Sequence, residues 1–289
     1  MKVGIDSYCY HRFFGEVYPQ QVKPPKRMTL EDFIRRSGEL GVDGVSLESC
    51  FLDRFERSYL SEVKGLLDER KLDRVFAWGH PDGLEGGKNE KMFDDLMKSI
   101  EYAEAIGAQV MRVVGSSLMF RFEPHQPQLE KLAKMFTTAG KEAARKGIKL
   151  AVENHLDFNS DEMLWLFQSV GLPNVGINFD TGNFVRVLDD PVLAMQKLVK
   201  HVFATHIKDL RIQKGVPVNE WFFFSCTPVG DGGIVDNQRI GQLLQDNGYE
   251  GFMAVEIDFL HPDFKADEDK AVARSVKELK RIARAVEGK

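Results

Sequence analysis

"GINFDTGN" occupies Gly176–Asn183, and its reading decides the fold. With Val175 in front, it gives an apolar strand over 175–180 that ends on an acid, Asp180, before Thr181-Gly182-Asn183 turns the chain away. A buried carboxylate is costly unless it is paired or bound to a metal. Either Asp180 has a partner remote in sequence, or the stretch is not a strand.

The rest of the chain repeats the same phrase: an amphipathic helix, a glycine, a short apolar strand. Leu129, Leu132, Phe136, Ala139 and Ala143 step by three and four along one helical face. Gly147 follows, where a left-handed cap is wanted, and 148–153 reads as a strand. Gly41, Gly107, Gly171 and Gly248 stand in the same relation to the strands after them. Thr29 with Asp32, and Asn159 with Glu162, mark helix starts as capping pairs. Eight strands result, at about 2–6, 44–48, 74–79, 109–115, 149–153, 175–180, 203–208 and 252–257, each leading to a helix. Apolar strands alternating with helices imply a parallel sheet covered by helices. Eight such units in one chain predict an α/β (β/α)₈ TIM barrel, a single domain over 1–289. An open doubly wound sheet fits less well, because strand 1 runs into Asp6-Ser-Tyr-Cys-Tyr-His11, without a glycine-rich nucleotide loop.

Composition narrows the partners. Of 289 residues 43% are hydrophobic, enough for a sizeable core, and a net charge of -5 argues against a nucleic-acid surface. Three scattered cysteines, Cys9, Cys50 and Cys226, read as reduced thiols, and no apolar run reaches membrane-spanning length. Met1–Asp6 reads as a strand, not an export signal, so a cytoplasmic location is expected.

In a barrel of this kind functional residues sit at the C-terminal strand ends. Those ends carry Glu48, Trp78-Gly79-His80, Arg112, Glu153-Asn154-His155, Asp180, then His206, Lys208 and Asp209, and last Glu256 and Asp258. Glu153, Asp180, His206 and Glu256 come one from each of four consecutive strands. Three carboxylates and an imidazole suit one divalent cation, Mn²⁺, Mg²⁺, Co²⁺ or Zn²⁺. Taken singly, each acid fits an ion pair with Arg112, Lys208 or Arg211 equally well; four together argue for the cation. Glu48, Lys208 and Asp258 divide evenly between a functional role and interior ion pairs. His11, His125, His201 and His261 lack strand-end placement and read as surface.

"AVENH" (151–155), "GINFDTGNF" (176–184), "THIKD" (205–209), "TPVGDGGIVD" (227–236) and "GYEGFMAVEID" (248–258) resemble the sugar-phosphate isomerase/epimerase superfamily with a xylose-isomerase-like TIM barrel. The resemblance implies one metal held by Glu153, Asp180, His206 and Glu256, with the two glutamates as the acid/base pair. It also implies substrate contacts from His80 and Arg211; Trp78, His155, Asn183 and Lys208 are further candidate substrate contacts from their place at the mouth. Asn183 departs from the pattern, since many members carry a histidine there. Gly230-Asp231-Gly232-Gly233 replaces the Asp-x-His that the DNA-repair branch needs. The expected activity is a metal-dependent sugar or keto-polyol isomerase or epimerase, through proton abstraction beside a carbonyl and a metal-bound enediolate. The alternatives are a dehydratase acting on an inosose- or dehydroshikimate-like ketone, and a non-catalytic sugar-binding barrel. Two long loops, 11–28 and 212–235, carry aromatics, among them Trp221-Phe222-Phe223-Phe224. They are expected to serve as a lid or as a contact in a homodimer or homotetramer.

Overall fold

Alternate residues of a β-strand point to opposite faces, and in this chain that parity divides the molecule. The computed structural model describes residues 1–288. Its strands are β1 (Lys2–Asp6), β2 (Gly44–Glu48), β3 (Asp73–Trp78), β4 (Val110–Val114), β5 (Lys149–Glu153), β6 (Val175–Asp180), β7 (Val202–Ile207), β8 (Asp209–Ile212), β9 (Phe224–Thr227) and β10 (Phe252–Val255). Eight of them close a parallel barrel in the order β1-β10-β7-β6-β5-β4-β3-β2, so the expected (β/α)₈ barrel is what the chain forms. One parity set, including Ile5, Leu47, Phe76, Val113, Val152 and Phe179, belongs to the large core between barrel and helices. The other set points into the barrel: Val75, Ala151, Ala204, Phe252 and Ala254 pack into a separate apolar cluster on its floor. Two residues further along the same inward parity stand Ala77, Glu153, His206 and Glu256. Floor and mouth are thus made of the same strands, apolar at one end and ionisable at the other.

The helices form where the local signals place them. Thr29 and Asp32 make a reciprocal capping box at the start of Leu30–Leu40, and Asn159 and Glu162 make another at Ser160–Val170. Gly41 and Gly171 end those helices in the left-handed conformation that only glycine adopts without strain. The long helix His125–Arg145 buries the expected stripe Leu129, Leu132, Phe136, Ala139 and Ala143.

The connection after β7 departs from the expected loop. It contains an antiparallel hairpin, β8 paired with β9, in which Asp209 faces Thr227 and Ile212 faces Phe224. Its eleven-residue tip, 213–223, carries no tight-turn dipeptide, which hides the pairing in sequence. His11 and His261 also depart from the surface reading: both are buried. The His11 ring stacks on Tyr8 and its Nδ1 lies 2.7 Å from the Glu16 carbonyl oxygen. Among the described residues no helix is long and apolar enough to cross a membrane.

The floor is tight around one ring. The three atoms nearest to a Cβ on Gly44 would all belong to the Phe252 ring, from 2.4 Å, whereas a Cβ on Gly4 would meet that ring at 2.3 Å and also the Gly44 carbonyl at 2.6 Å. Gly44→Ala and Gly4→Ala should each destabilise the fold by about 1–3 kcal/mol, the usual cost of overpacking. Phe252→Leu should rescue Gly44→Ala but not Gly4→Ala, because a leucine makes room and a backbone carbonyl does not. Urea denaturation of the single and double variants reads the difference.

Candidate active site

Asp180 caps a helix with one oxygen and faces the barrel with the other. Its Oδ1 accepts the backbone N–H groups of Gly182 and Asn183, each at 2.8 Å, at the start of helix Thr181–Arg186. The "DTGN" turn is therefore a helix N-cap. Behind it, Asn154 and the Asp180 backbone exchange two hydrogen bonds of 2.9 Å, so the strand-end acid is locked in place. Its other oxygen, Oδ2, accepts from Lys208 Nζ at 2.6 Å.

Around that oxygen the four strand ends converge. Glu153, Asp180, His206 and Glu256 each offer a ligand atom, all within 4.8 Å of one another, and all four are buried. His206 Nδ1 lies 2.7 Å from Glu256 Oε2, 3.2 Å from Glu153 Oε1 and 3.8 Å from Asp180 Oδ2. Lys208 Nζ also approaches Glu256 at 3.2 Å and Asp258 at 3.1 Å. On the far side Arg112 donates to Glu48 and to the Trp78 carbonyl, and its Nε lies 3.1 Å from Glu153 Oε2.

The charge count is unequal. Asp6, Glu48, Glu153, Asp180, Glu256 and Asp258 are buried carboxylates, against Arg112, Lys208 and Arg186 as buried permanent cations. With all six ionised the excess is three negative charges, more than one divalent ion alone would neutralise. Burial, opposed by Lys208 and reinforced by Glu256 and Glu153, pushes the Asp180 carboxyl up to about 7. Burial works the same way on Glu256, but His206 and Lys208 outweigh it and hold that group at about 2. Burial lowers His206, yet Glu256 and Glu153 overcome it and draw the imidazole well above its usual range. Glu153 Oε2 and Glu256 Oε2 are buried without a well-aligned hydrogen bond. A donor set of three carboxylates and one imidazole, with under-satisfied oxygens and surplus negative charge, fits a divalent cation.

The cluster opens into a cavity of about 340 Å³ at the barrel mouth. His80, His155, Asn183, Lys208, Glu153 and Glu256 all line it. Burial pushes the His155 imidazole down to about 4, so it stands neutral in the wall. Two of the expected substrate contacts lie elsewhere. Trp78 has the outward parity: it packs in the helix layer and donates from Nε1 to Asp95 at 2.8 Å, while its inward neighbour is Ala77. Arg211 does not line the cavity and reaches Asp263 at 3.2 Å and the Asp231 carbonyl at 2.8 Å.

Sequence reasoning missed Glu16 and Tyr8, which line the cavity from the segment after β1 together with Tyr18, an aromatic of the long loop expected at the mouth. Glu16 Oε1 lies 2.7 Å from His80 Nε2 and accepts the Tyr8 hydroxyl at 2.8 Å. Arg186 was missed as well; it donates to Asp258 at 2.9 Å and sits under the Trp221 ring at 5.0 Å. Of the aromatic run, Trp221 lines the cavity with Tyr18 at 5.4 Å between ring centroids, and Phe222 stacks on Phe259 at 5.0 Å. Phe223 is not among the lining residues.

A parallel (β/α)₈ barrel with a buried acid-histidine cluster at its C-terminal mouth is a recognisable class of enzyme scaffold. The chain belongs to the xylose isomerase-like TIM barrel family, which it matches over residues 34–285. It is similar to the inosose dehydratase of Mesomycoplasma hyopneumoniae, 25% identical over 253 residues that cover 79% of this chain and 81% of that one. Among solved structures it superposes on the IolI protein with a bound zinc atom, with a TM-score of 0.75, 14% identity and 99% of both chains covered. A D-tagatose 3-epimerase-like protein gives a TM-score of 0.74 at 18% identity, over 100% of this chain and 99% of that one. At these identities the two structural likenesses speak for the fold alone.

Two outcomes follow from the geometry. Asp180→Asn keeps the capping oxygen and loses the charged one that pairs with Lys208, so the fold should be kept at a cost of no more than about 3–5 kcal/mol. Mn²⁺ affinity, read by calorimetric titration, should fall by at least tenfold; unchanged affinity would place the cation elsewhere. Trp221→Ala should leave Mn²⁺ affinity intact and raise KM for the substrate that the cavity takes, while Phe223→Ala should alter neither.

Proposed function

We propose that the protein is a divalent-cation-dependent isomerase or epimerase that moves a proton beside the carbonyl of an uncharged keto-sugar or keto-cyclitol. The observation that carries this reading is the pair Glu153 and Glu256, on the two outer strands of the four that supply the cluster, both within 3.2 Å of His206 Nδ1 and both lining the cavity. Glu153, Asp180, His206 and Glu256 would hold Mn²⁺, Mg²⁺, Co²⁺ or Zn²⁺, which when bound supplies Lewis-acid polarisation of the carbonyl. Glu153 and Glu256 share the proton work: one carboxylate takes the proton from the α-carbon and the other returns one. Return to the same carbon from the opposite face inverts it; return to the neighbouring carbon exchanges aldose and ketose. Arg112 fixes Glu153, and Lys208 and His206 fix Glu256, so each carboxylate is oriented before substrate arrives. His80, His155 and Asn183 offer hydrogen-bonding edges to the substrate's hydroxyls.

Charge supports an uncharged substrate. The cavity's two permanent cations are both committed, Arg112 to Glu48 and Glu153, and Lys208 to Asp180, Glu256 and Asp258. Glu16 and Asp82 add further negative charge to the wall. A phosphate or carboxylate would meet acids with no free cation, which counts against sugar phosphates and dehydroshikimate-like ketones.

A second reading, dehydration of an inosose-like ketone, draws support from the similarity to inosose dehydratase and from the Glu16–His80 pair, a second proton-bearing couple in the same cavity. The test is a Mn²⁺-supplemented panel of neutral ketoses and keto-cyclitols in D₂O, followed by NMR. Deuterium uptake at the α-carbon without loss of water is the expected result. Loss of water would establish the dehydratase instead, and neither reaction across the panel would leave a binding protein. Glu153→Gln and Glu256→Gln should each lower turnover by roughly 10²–10⁴, the usual worth of acid–base catalysis, with the fold retained.

A further inference from the structure

The fourth ligand candidate is held from behind. His206 Nδ1 faces the three carboxylates of the cluster, and its Nε2 points the other way, 3.3 Å from Asp6 Oδ2. Asp6 is the last residue of β1, the strand beside β10, and it shares the inward parity of the cluster. Both side chains are buried, at 0% and 1% exposure. Asp6 Oδ1 is already committed, accepting the Tyr8 backbone N–H at 2.6 Å as a helix cap. Neither Asp6 Oδ2 nor His206 Nε2 makes a well-aligned hydrogen bond to any group, so two unsatisfied buried atoms face one another at 3.3 Å.

We propose that Asp6 is a positioning residue for the cation site: it accepts the Nε2–H of His206 and so leaves the Nδ1 lone pair directed at the cluster. The proposal rests on the reading of Glu153, Asp180, His206 and Glu256 as metal ligands. A neutral imidazole carries its proton on one nitrogen and its lone pair on the other. Only the tautomer with hydrogen on Nε2 can ligate through Nδ1, and a buried carboxylate facing Nε2 selects that tautomer. Metal-ligating histidines are commonly oriented this way, and loss of the outer partner typically costs roughly 10–100-fold in metal affinity. A carboxylate behind the ring also leaves the Nδ1 lone pair more basic, and fixes the ring plane before the ion arrives.

The tether to Tyr8 gives the test its direction. In Asp6→Asn the carbonyl oxygen is claimed by the Tyr8 N–H, because an amide NH₂ placed there would set donor against donor. The NH₂ group is then left facing Nε2, where it favours the opposite tautomer and puts a proton on Nδ1. Asp6→Ala removes the acceptor but presents no competing donor.

The experiment is Mn²⁺ binding by chelator competition for the parent, Asp6→Ala and Asp6→Asn, with thermal unfolding of each metal-free variant to confirm that it folds. The expected order of affinity is parent, then alanine, then asparagine, with asparagine weaker than parent by roughly 10–100-fold. A purely structural role for Asp6 predicts the reverse, since alanine also empties space and loses the helix cap. Asparagine equal to the parent, or alanine as weak as asparagine, overturns the proposal. A ¹⁵N imidazole spectrum of the Zn²⁺-loaded parent gives a second reading: coordination through Nδ1 with hydrogen on Nε2 supports it, and coordination through Nε2 overturns it. A parent that binds no divalent cation at all overturns the metal-ligand reading itself, and is told apart because it shows in the unmutated protein.

Discussion

Surplus negative charge buried at the barrel mouth is the constraint on which the rest of the site depends. Several carboxylates converge there because parallel strands of a closed barrel must bring their inward residues to one axis. Glu153, Asp180 and Glu256 can share that axis only with counter-charge close by, and the chain supplies part of it. Arg112 crosses the barrel to meet Glu48 and Glu153, and Lys208 reaches Asp180, Glu256 and Asp258. These ion pairs orient the acids more than they stabilise the fold, since burying a charge pair costs nearly what its attraction returns. A divalent cation would neutralise most of the remaining imbalance.

The barrel was legible in the sequence because its signals are local. Gly41 and Gly171 close helices, Thr29 and Asn159 open them, and apolar runs fall between; each feature spans fewer than ten residues. The acid-histidine cluster was legible for a related reason. Strand-end position is a local property, and the closed sheet converts equal positions on neighbouring strands into proximity. No pairwise contact between Glu153 and Glu256 had to be foreseen.

The residues that were misplaced show where that logic stops. Trp78 stands at a strand end, as Glu153 does, but one position out of phase, so its indole faces the helices and Ala77 faces the axis. Applying the two-residue period to β3 from Val75 would have placed it correctly. Arg211 was assigned to the mouth on resemblance, and the hairpin that carries it has no compact turn signature. Glu16 carries no periodic signal at all. Its place beside His80 depends on how the 15–28 segment folds back over the mouth, a matter of tertiary packing through Tyr8 and Tyr18.

That division follows from where each residue's partners lie. The helix-facing parity needs only apolar volume, so nearly any Leu, Ile, Val or Phe satisfies it. The inward parity must change character along a single strand: β10 runs from Phe252, which fills the floor, through Ala254 to Glu256 at the cluster. A small residue between the two separates the bulky ring from the charged layer. On β5 and β7 the floor residues Ala151 and Ala204 stand directly before Glu153 and His206 along the inward parity, so the apolar and ionic layers adjoin. The aromatic wall of Tyr18, Trp221 and Phe259 is carried on connections outside the barrel strands. The ionisable cluster belongs to the strand ends and the aromatic wall of the cavity to the loops, so the two rest on different parts of the fold.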